Sequence, residues 1–504
     1  MIEQASNVRK HLGRFLTTDP GRFAGSSAVS DPFGLLAVER EHLTVPRSPQ
    51  HEGSPQAAAP AEQSTQPDPS GDVTGPTESR TAGRYRRPVT GAAREQSQPK
   101  ASPRPTAFWL VAGVLFLSLA AASAPAPLYG VYQAQFRFSA ATLTAVFAVY
   151  ALVVLITLLV FGSLSDYLGR RPVIIATLAV NIGACALFLT AQGVGLLFAA
   201  RVLQGIAVGA ATGALGAALI DLQPGGSRLA PVVNTAATIF GLAAGALGAS
   251  ALVQYGPAPT HLVWWLLLGA FCVAVAGILV MPEPAARRPG VLASLRPRVN
   301  VPPRARGAFA VAVPCLVAAW ALAGLYLSLG PSLAAQVLAS PNRLWGGLVV
   351  FLLTGIGAAA TVMFRRLAPP TAMLAGCLVL LTGVAVTFAA VATMSAAAFL
   401  VGSAVAGAGF GVAFLGAFRT LSALADPGER ADLIAGIFTV NYLAFGIPAL
   451  IAGVAVTRYG LHHTALVYLG VIAALAAAAA SSMTVHKHPA GQRVRARRLT
   501  LTDS

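Results

Sequence analysis

From about residue 106 to residue 483 the chain is a succession of long apolar runs separated by short polar joints. A helix needs about 20 mostly apolar residues to cross a bilayer. Twelve runs approach or exceed that length, at approximately 107–129, 141–163, 172–191, 194–221, 230–254, 262–281, 308–330, 344–364, 371–391, 396–421, 433–457 and 464–483. The pattern predicts an all-α membrane protein of twelve transmembrane helices. Pro125 and Pro127 are expected to break the outer end of the first run.

The runs divide evenly about one long joint, PEPAARRPGVLASLRPRVNVPPRARG at 282–307. Six precede it and six follow. YGPAPTHLV at 255–263 reappears as YGLHHTALV at 459–467, and QPGGSR at 223–228 reappears as DPGER at 426–430. Both matches fall at nearly the same shift and at equivalent joints. The expected organisation is two pseudo-symmetric six-helix halves, 106–281 and 308–483, with a cytoplasmic central loop at 282–307. Repeated halves suit a transporter with its site between them.

Composition narrows the class. Hydrophobic residues make up 55% and charged residues 11%, with mean hydropathy +0.68. A soluble domain carries about 25% charged residues, so lipid is the expected solvent for most of this chain. The net charge of +17 brings nucleic acid to mind, but no recognised nucleic-acid fold motif accompanies it. Lys and Arg retained on the cytoplasmic side account for it. Cys185, Cys272, Cys315 and Cys377 each lie inside an apolar run without CxxC pairing and read as small buried hydrophobes. No nucleophile–base pair, metal spacing or phosphate loop appears, so neither an enzyme nor a cofactor is expected.

The flanks differ. Residues 1–105 hold QHEGSPQAAAPAEQSTQPDPSGDVTGP, too poor in apolar residues to fold, followed by a basic stretch from Arg80 to Arg104. They read as a disordered cytoplasmic tail, either inert or touching anionic headgroups. Residues 484–504 form a second basic tail. Orientation follows from the Lys/Arg bias. With both termini in the cytoplasm, the inside joints hold Arg170, Arg171, Arg228, Arg287, Arg288, Arg296, Arg298, Arg304, Arg306, Arg365, Arg366 and Arg430, against Arg137, Arg343 and Arg458 outside. The expected location is the plasma (inner) membrane, multi-pass.

Charge concentrates in one short joint, FGSLSDYLGRRPV at 161–173. Glycine at 162 and 169 permits close approach and a tight turn. An anchor alone would need Arg170 and Arg171 but not Asp166 or the glycines. Gly162-Ser163-Leu164-Ser165-Asp166-Tyr167-Leu168-Gly169-Arg170-Arg171 resembles the loop 2–3 signature of the major facilitator superfamily; only Tyr167 departs, where the family usually has a base. Arg201-Val202-Leu203-Gln204-Gly205, continuing to Gly209, resembles that family's helix 4 pattern. PAPLYGVYQAQFRFS, LIDLQPGG and YLSLGPSLAA resemble a bacterial subgroup described as efflux-type transporters. The resemblance implies that Asp166 faces the N-terminus of helix 11, near Asp432 and Leu433. It also implies that Arg170 pairs with an acid at the end of helix 4, where Asp221 is available. Together these would latch the cytoplasmic side. Gly162, Asp166, Gly169, Arg170, Arg171 and Asp221 are the candidate gate.

Arg201 lies inside an apolar run, at a cost of a few kcal/mol even on lenient scales. With Gln204 it is a candidate for coupling or substrate contact; bonding to backbone carbonyls is the structural alternative. Glycines at four-residue spacing, such as Gly241 and Gly245, followed by Gly248, suit close helix packing. The six acids between 106 and 482 are Asp166, Asp221, Glu283, Asp426, Glu429 and Asp432, all at joints or helix ends. A chain without a mid-helix carboxylate suits a neutral or anionic substrate better than a cation. Neutral cavity candidates are Tyr129, Tyr132, Gln133, Tyr150, Asn234, Trp320, Tyr326, Asn441 and Tyr442. The expected function is secondary active transport of a small molecule by a monomer in contact with membrane lipids, by efflux and proton-linked if coupled. Uptake of a small organic anion or neutral solute is the alternative, and a non-transporting sensor or scaffold the third.

Overall fold

The computed structural model describes residues 105–224, 229–285, 289, 295, 299–426 and 429–485. The tail readings for 1–104 and 486–504, and the placements of Arg228, Arg287, Arg288, Arg296 and Arg298, lie outside the described residues. Among the described residues the fold is all helix and has no strand. Eleven helical stretches are long and apolar enough to cross a membrane.

The first group runs α1 Pro105–Ser123, α2 Pro125–Phe136, α3 Ala140–Phe161, the one-turn α4 Ser165–Leu168, α5 Arg170–Leu189, α6 Val194–Leu222, α7 Leu229–Tyr255 and α8 Leu262–Val280. The second group follows a short 3-10 turn at Pro303–Ala305. It runs α9 Arg306–Ser328, α10 Gly330–Val337, α11 Leu344–Met363, α12 Pro369–Thr393, α13 Ala396–Ser422 and α14 Arg430–Val485. The long α14 is interrupted at Gly460, whose φ of 79° and ψ of 163° are not helical.

Local chemistry sets the ends. Ser139 caps α3 by accepting a bond from the Thr142 N–H at 3.2 Å, and Ser395 caps α13. Proline enters at the first turns of α2, α10 and α12, where its missing N–H costs nothing. The helix breaks at Pro125 as expected, ending α1 at Ser123, but Pro125 also starts α2, so the first crossing extends past the expected end at 129 to Phe136, a stretch of 32 residues in all.

Small residues set the packing. In α12 and α13 the seven-residue series Gly402, Gly409 and Gly416 meets the backbone of Thr387, Leu380 and Met373 in antiparallel register. Between them, Gly383 and Gly376 of α12 meet Ala406 and Ala413 of α13. Each glycine lacks room for a Cβ, so each bare backbone is a contact surface. On α7, Gly241 and Gly245 pack on the Phe116 and Ala120 carbonyls of α1, whereas Gly248 meets nothing within 4 Å. The fourth cysteine departs from expectation: Cys185, Cys315 and Cys377 are buried, but Cys272 on α8 is exposed.

Candidate functional site

The joint between α3 and α5 is a compact ionic cluster. Gly213 of α6 packs against the Gly162 carbonyl and has no room for a Cβ, while a Cβ on Gly162 would run into the Leu158 carbonyl of its own chain segment. Gly169 holds φ 96° and ψ 156°, a conformation reserved for glycine, and so turns α4 into α5. The next residue, Arg170, is 9% exposed. Its Nε donates to Asp221 Oδ2 at 3.0 Å, its Nη1 donates to Ser165 Oγ at 2.7 Å, and it pairs with Asp166. Asp221 comes from the last turn of α6, so Arg170 ties α4, α5 and α6 together. Arg171 donates to the Leu279 carbonyl at the end of α8.

Glu283 completes this cluster, and no local pattern in the sequence pointed to it. Its Oε1 accepts the Arg170 N–H at 2.7 Å and its Oε2 accepts the Arg171 N–H at 3.0 Å. A carboxylate bonded to the first two free amides of α5 caps that helix and meets its positive end. A Cβ added to Gly169 would lie 2.9 Å from Glu283 Oε2. The chain segment after α8 is thereby fastened to the 162–171 joint.

Asp166 does not reach the start of α14. Among the described residues its carboxylate is held by Arg170, and no hydrogen bond joins it to Asp432 or Leu433. Arg170, one turn along from Asp166, occupies that carboxylate instead. The start of α14 has its own ion pairs instead, from Arg304 to Asp426 and to Glu429, the latter at 2.7 Å. Arg419 of α13 donates to the carbonyls of Arg365 at 2.8 Å and Leu367 at 3.1 Å.

Arg201 and Gln204 are buried in α6 and face the junction of α1 and α2. Arg201 Nη1 donates to the Ala122 carbonyl at 3.0 Å and to Gln204 Oε1 at 2.6 Å. Gln204 Nε2 donates to the Ala121 carbonyl at 2.7 Å. In a continuous helix the donor to Ala121 would be residue 125, which is proline and has no N–H. The pair therefore satisfies backbone that the proline break frees, the structural alternative read from the sequence. The guanidinium also lies 3.9 Å from the Tyr150 ring centroid, a contact worth about 2 kcal/mol when desolvated. Its Nε has no partner among the described residues.

The cavity candidates separate into two sets. Tyr132 is packed in the core: its hydroxyl accepts from Trp264 Nε1 at 2.7 Å and its ring stacks on Phe136. Tyr326 is likewise core, bonded to Ser403 Oγ at 2.8 Å and stacked on Phe399. Neither faces open space, because both hydroxyls are used within their own helix group. The second set meets in the middle of the bundle. Trp320 of α9 is half-buried and lies 5.7–6.0 Å from Phe410, Phe414, Tyr442 and Phe445. Phe445 meets Phe147 of α3 at 4.8 Å, on the helix that also places Tyr150 over Arg201. Tyr129 Oη, Trp320 Nε1 and both amide atoms of Asn441 lack hydrogen-bond partners among the described residues. Asn234 is half-buried against Gly216 of α6, and Gln133 is half-buried in α2. Asn181 of α5, buried with an unpartnered amide, was not singled out in the sequence; it is the same signal as Asn441, a lone amide in an apolar run. No group of three or more His, Cys, Asp or Glu among the described residues has the spacing to hold a metal.

The two helix groups touch unequally at their two ends. Away from the 162–171 joint, the Arg343 N–H donates to Gln254 Oε1 at 2.9 Å, which joins the α11 entry to α7. Nearby, Gly347 of α11 leaves no space for a Cβ beside the Ala246 carbonyl and Ser250 of α7, and Gly453 of α14 likewise sits against Thr144 of α3. At the joint end, the bonds of Arg170, Arg304 and Arg419 stay within one group.

A family model described as Major Facilitator Superfamily matches residues 111–449. Among solved structures, the nucleoside transporter NupG superposes with a TM-score of 0.58 at 13% identity, covering 75% of this chain and 99% of that one. The human organic anion transporter MFSD10 (TETRAN) superposes with a TM-score of 0.54 at 19% identity, covering 76% of this chain and 100% of that one. With that family match over most of its helical part, the chain belongs to the Major Facilitator Superfamily and is a membrane transporter, not an enzyme.

Proposed function

We propose that this chain exports a small molecule across the plasma membrane by alternating access between two six-helix halves, coupled to protons, with both termini in the cytoplasm. The observation that carries the reading is the unequal contact of the two helix groups. They are hydrogen-bonded to each other through Gln254 and Arg343 at one end, while each ionic cluster at the other end closes on itself. A transporter needs such a bistable interface. This conformer is then open toward the cytoplasm, and the Asp166 latch to α14 belongs to the opposite state. The length of α14 supports twelve crossings: its 55-residue stretch from Arg430 to Thr484 would span about 80 Å as one helix, against a core of about 30 Å. Reversal at Gly460 divides it in two.

The cargo in this reading is neutral or anionic. The middle of the bundle offers aromatic faces, unpartnered neutral polar atoms and Arg201, and no carboxylate. Asp166 and Asp221 are the groups left to carry a proton. The absence of a central carboxylate also favours the second reading, uptake of a small organic anion or neutral solute. A thermal-shift screen of the purified protein supplies a ligand, and its flux is then followed in membrane vesicles. Accumulation in right-side-out vesicles under an inward proton gradient overturns export and favours uptake. A ligand that binds but is never moved overturns transport.

A further inference from the structure

A groove on the outside of the bundle is unrelated to the central aromatic cluster. It has a volume of about 820 Å³ and lies between α9 and the two limbs of α14. Ala321, Ala452, Ala455 and Thr464 are small, which makes the surface concave, while Ile451 and Val467 form exposed rims. Along α14 it runs from Pro448 to Tyr459 and from His463 to Leu475. At 1.5 Å per residue each wall is about 16–18 Å long, close to half of a 30 Å hydrocarbon core. Its volume is within the range of about 300–1,000 Å³ that holds small ligands.

The two ends of the groove differ. The deep end is apolar. The other end is the Gly460 turn, flanked by Arg458, Tyr459, His462 and His463, of which Tyr459 and His463 line the groove itself. Arg458 is exposed. All six acids between residues 106 and 482 belong to the opposite end of the bundle, so among the described residues no acid supplies a counter-charge here. A tyrosine beside a cation at the end of a leaflet-deep apolar trough matches the polarity of a lipid at the membrane interface.

We propose that this groove is a phospholipid site. One acyl chain lies along Ala452, Ala455 and Ile472, and the headgroup phosphate lies against Arg458 and His463. The occupant is held more tightly than the surrounding annulus because the trough buries its chain on three helices and the turn supplies its charge partner.

The test is native mass spectrometry of the purified full chain, delipidated and then titrated with phosphatidylglycerol or phosphatidylcholine. Wild-type protein is expected to retain one lipid that resists delipidation. Ala455→Phe fills the trough and is expected to weaken that lipid at least about tenfold, whereas Val273→Phe, on the exposed face of α8, leaves it unchanged. Arg458→Ala with His463→Ala removes two exposed side chains, of which only His463 has a ring contact, with His462, and is expected to weaken phosphatidylglycerol more than about threefold. Equal lipid retention in all four proteins overturns the site and leaves an ordinary annulus. A second copy of the chain in place of lipid, released by Ala455→Phe, overturns it equally.

Discussion

The Gln204 amide donates to the Ala121 carbonyl at 2.7 Å, at the point where Pro125 withholds the helix's own donor. Gln204 also accepts from Arg201, so one side chain links a buried guanidinium to a broken backbone. Gln204→Leu is expected to leave that carbonyl unsatisfied and to cost about 1–3 kcal/mol. Pro125→Ala restores an N–H four residues beyond Ala121. In that background Gln204→Leu is expected to cost less. A double-mutant cycle on thermal unfolding in detergent measures the difference, and equal costs in both backgrounds would sink the assignment.

Gly169 and Glu283 make separable demands on the same turn. Gly169→Ala places a side chain at φ 96° and against the Glu283 carboxylate. It is expected to destabilise by about 1–3 kcal/mol. Glu283→Ala removes the cap of α5 and is expected to cost about 1–2 kcal/mol, with Glu283→Gln costing less because one oxygen remains. The backbone strain does not depend on the carboxylate, so Glu283→Ala is expected to relieve Gly169→Ala only in part. Thermal melting of the two single variants and the double variant checks this.

These two contacts also show what was legible in the sequence. Apolar length alone placed most spans within a few residues of the helices observed, because lipid imposes a fixed thickness. The first span runs past its expected end because Pro125, which does break the helix, also fits the first turn of the next one, α2. Glu283 was passed over because its partners lie more than a hundred residues earlier, and no local spacing marks a cap delivered from so far away. Tyr132 and Tyr326 could not be told from Tyr129 and Tyr150 for a different reason. Membrane helices are apolar all round, so the pattern gives no inward face, and only packing decides which hydroxyl finds a partner.

The glycines of α7 offer a test within one helix. Gly245 meets the Ala120 carbonyl and Ser123, so Gly245→Val is expected to push α1 away and cost about 1–3 kcal/mol or more. Gly248 has nothing within 4 Å. Gly248→Ala is expected to be neutral or to stabilise by up to about 1 kcal/mol through helix propensity. Comparable losses at both positions would show that spacing, and not contact with α1, is what matters.

Asp166 and Asp221 share Arg170 but differ in what the transport cycle asks of them. Asp221 fastens Arg170 from the end of α6 within the first group. Its loss is expected to loosen α5 against α6 in every state and to lower stability as well as flux. Asp166 has a side chain 45% exposed, so its bond to Arg170 contributes at most about 1 kcal/mol here. If Asp166 latches α14 in the opposite state, Asp166→Asn is expected to abolish flux while membrane insertion and melting temperature stay near wild type. Arg201→Ala is expected to abolish flux too, but with a lowered melting temperature, because the Ala122 carbonyl loses its donor. Flux of the screened ligand in vesicles, read beside the melting curves, separates the two. Normal flux in Asp166→Asn would remove the latch from the mechanism, whatever its effect on stability.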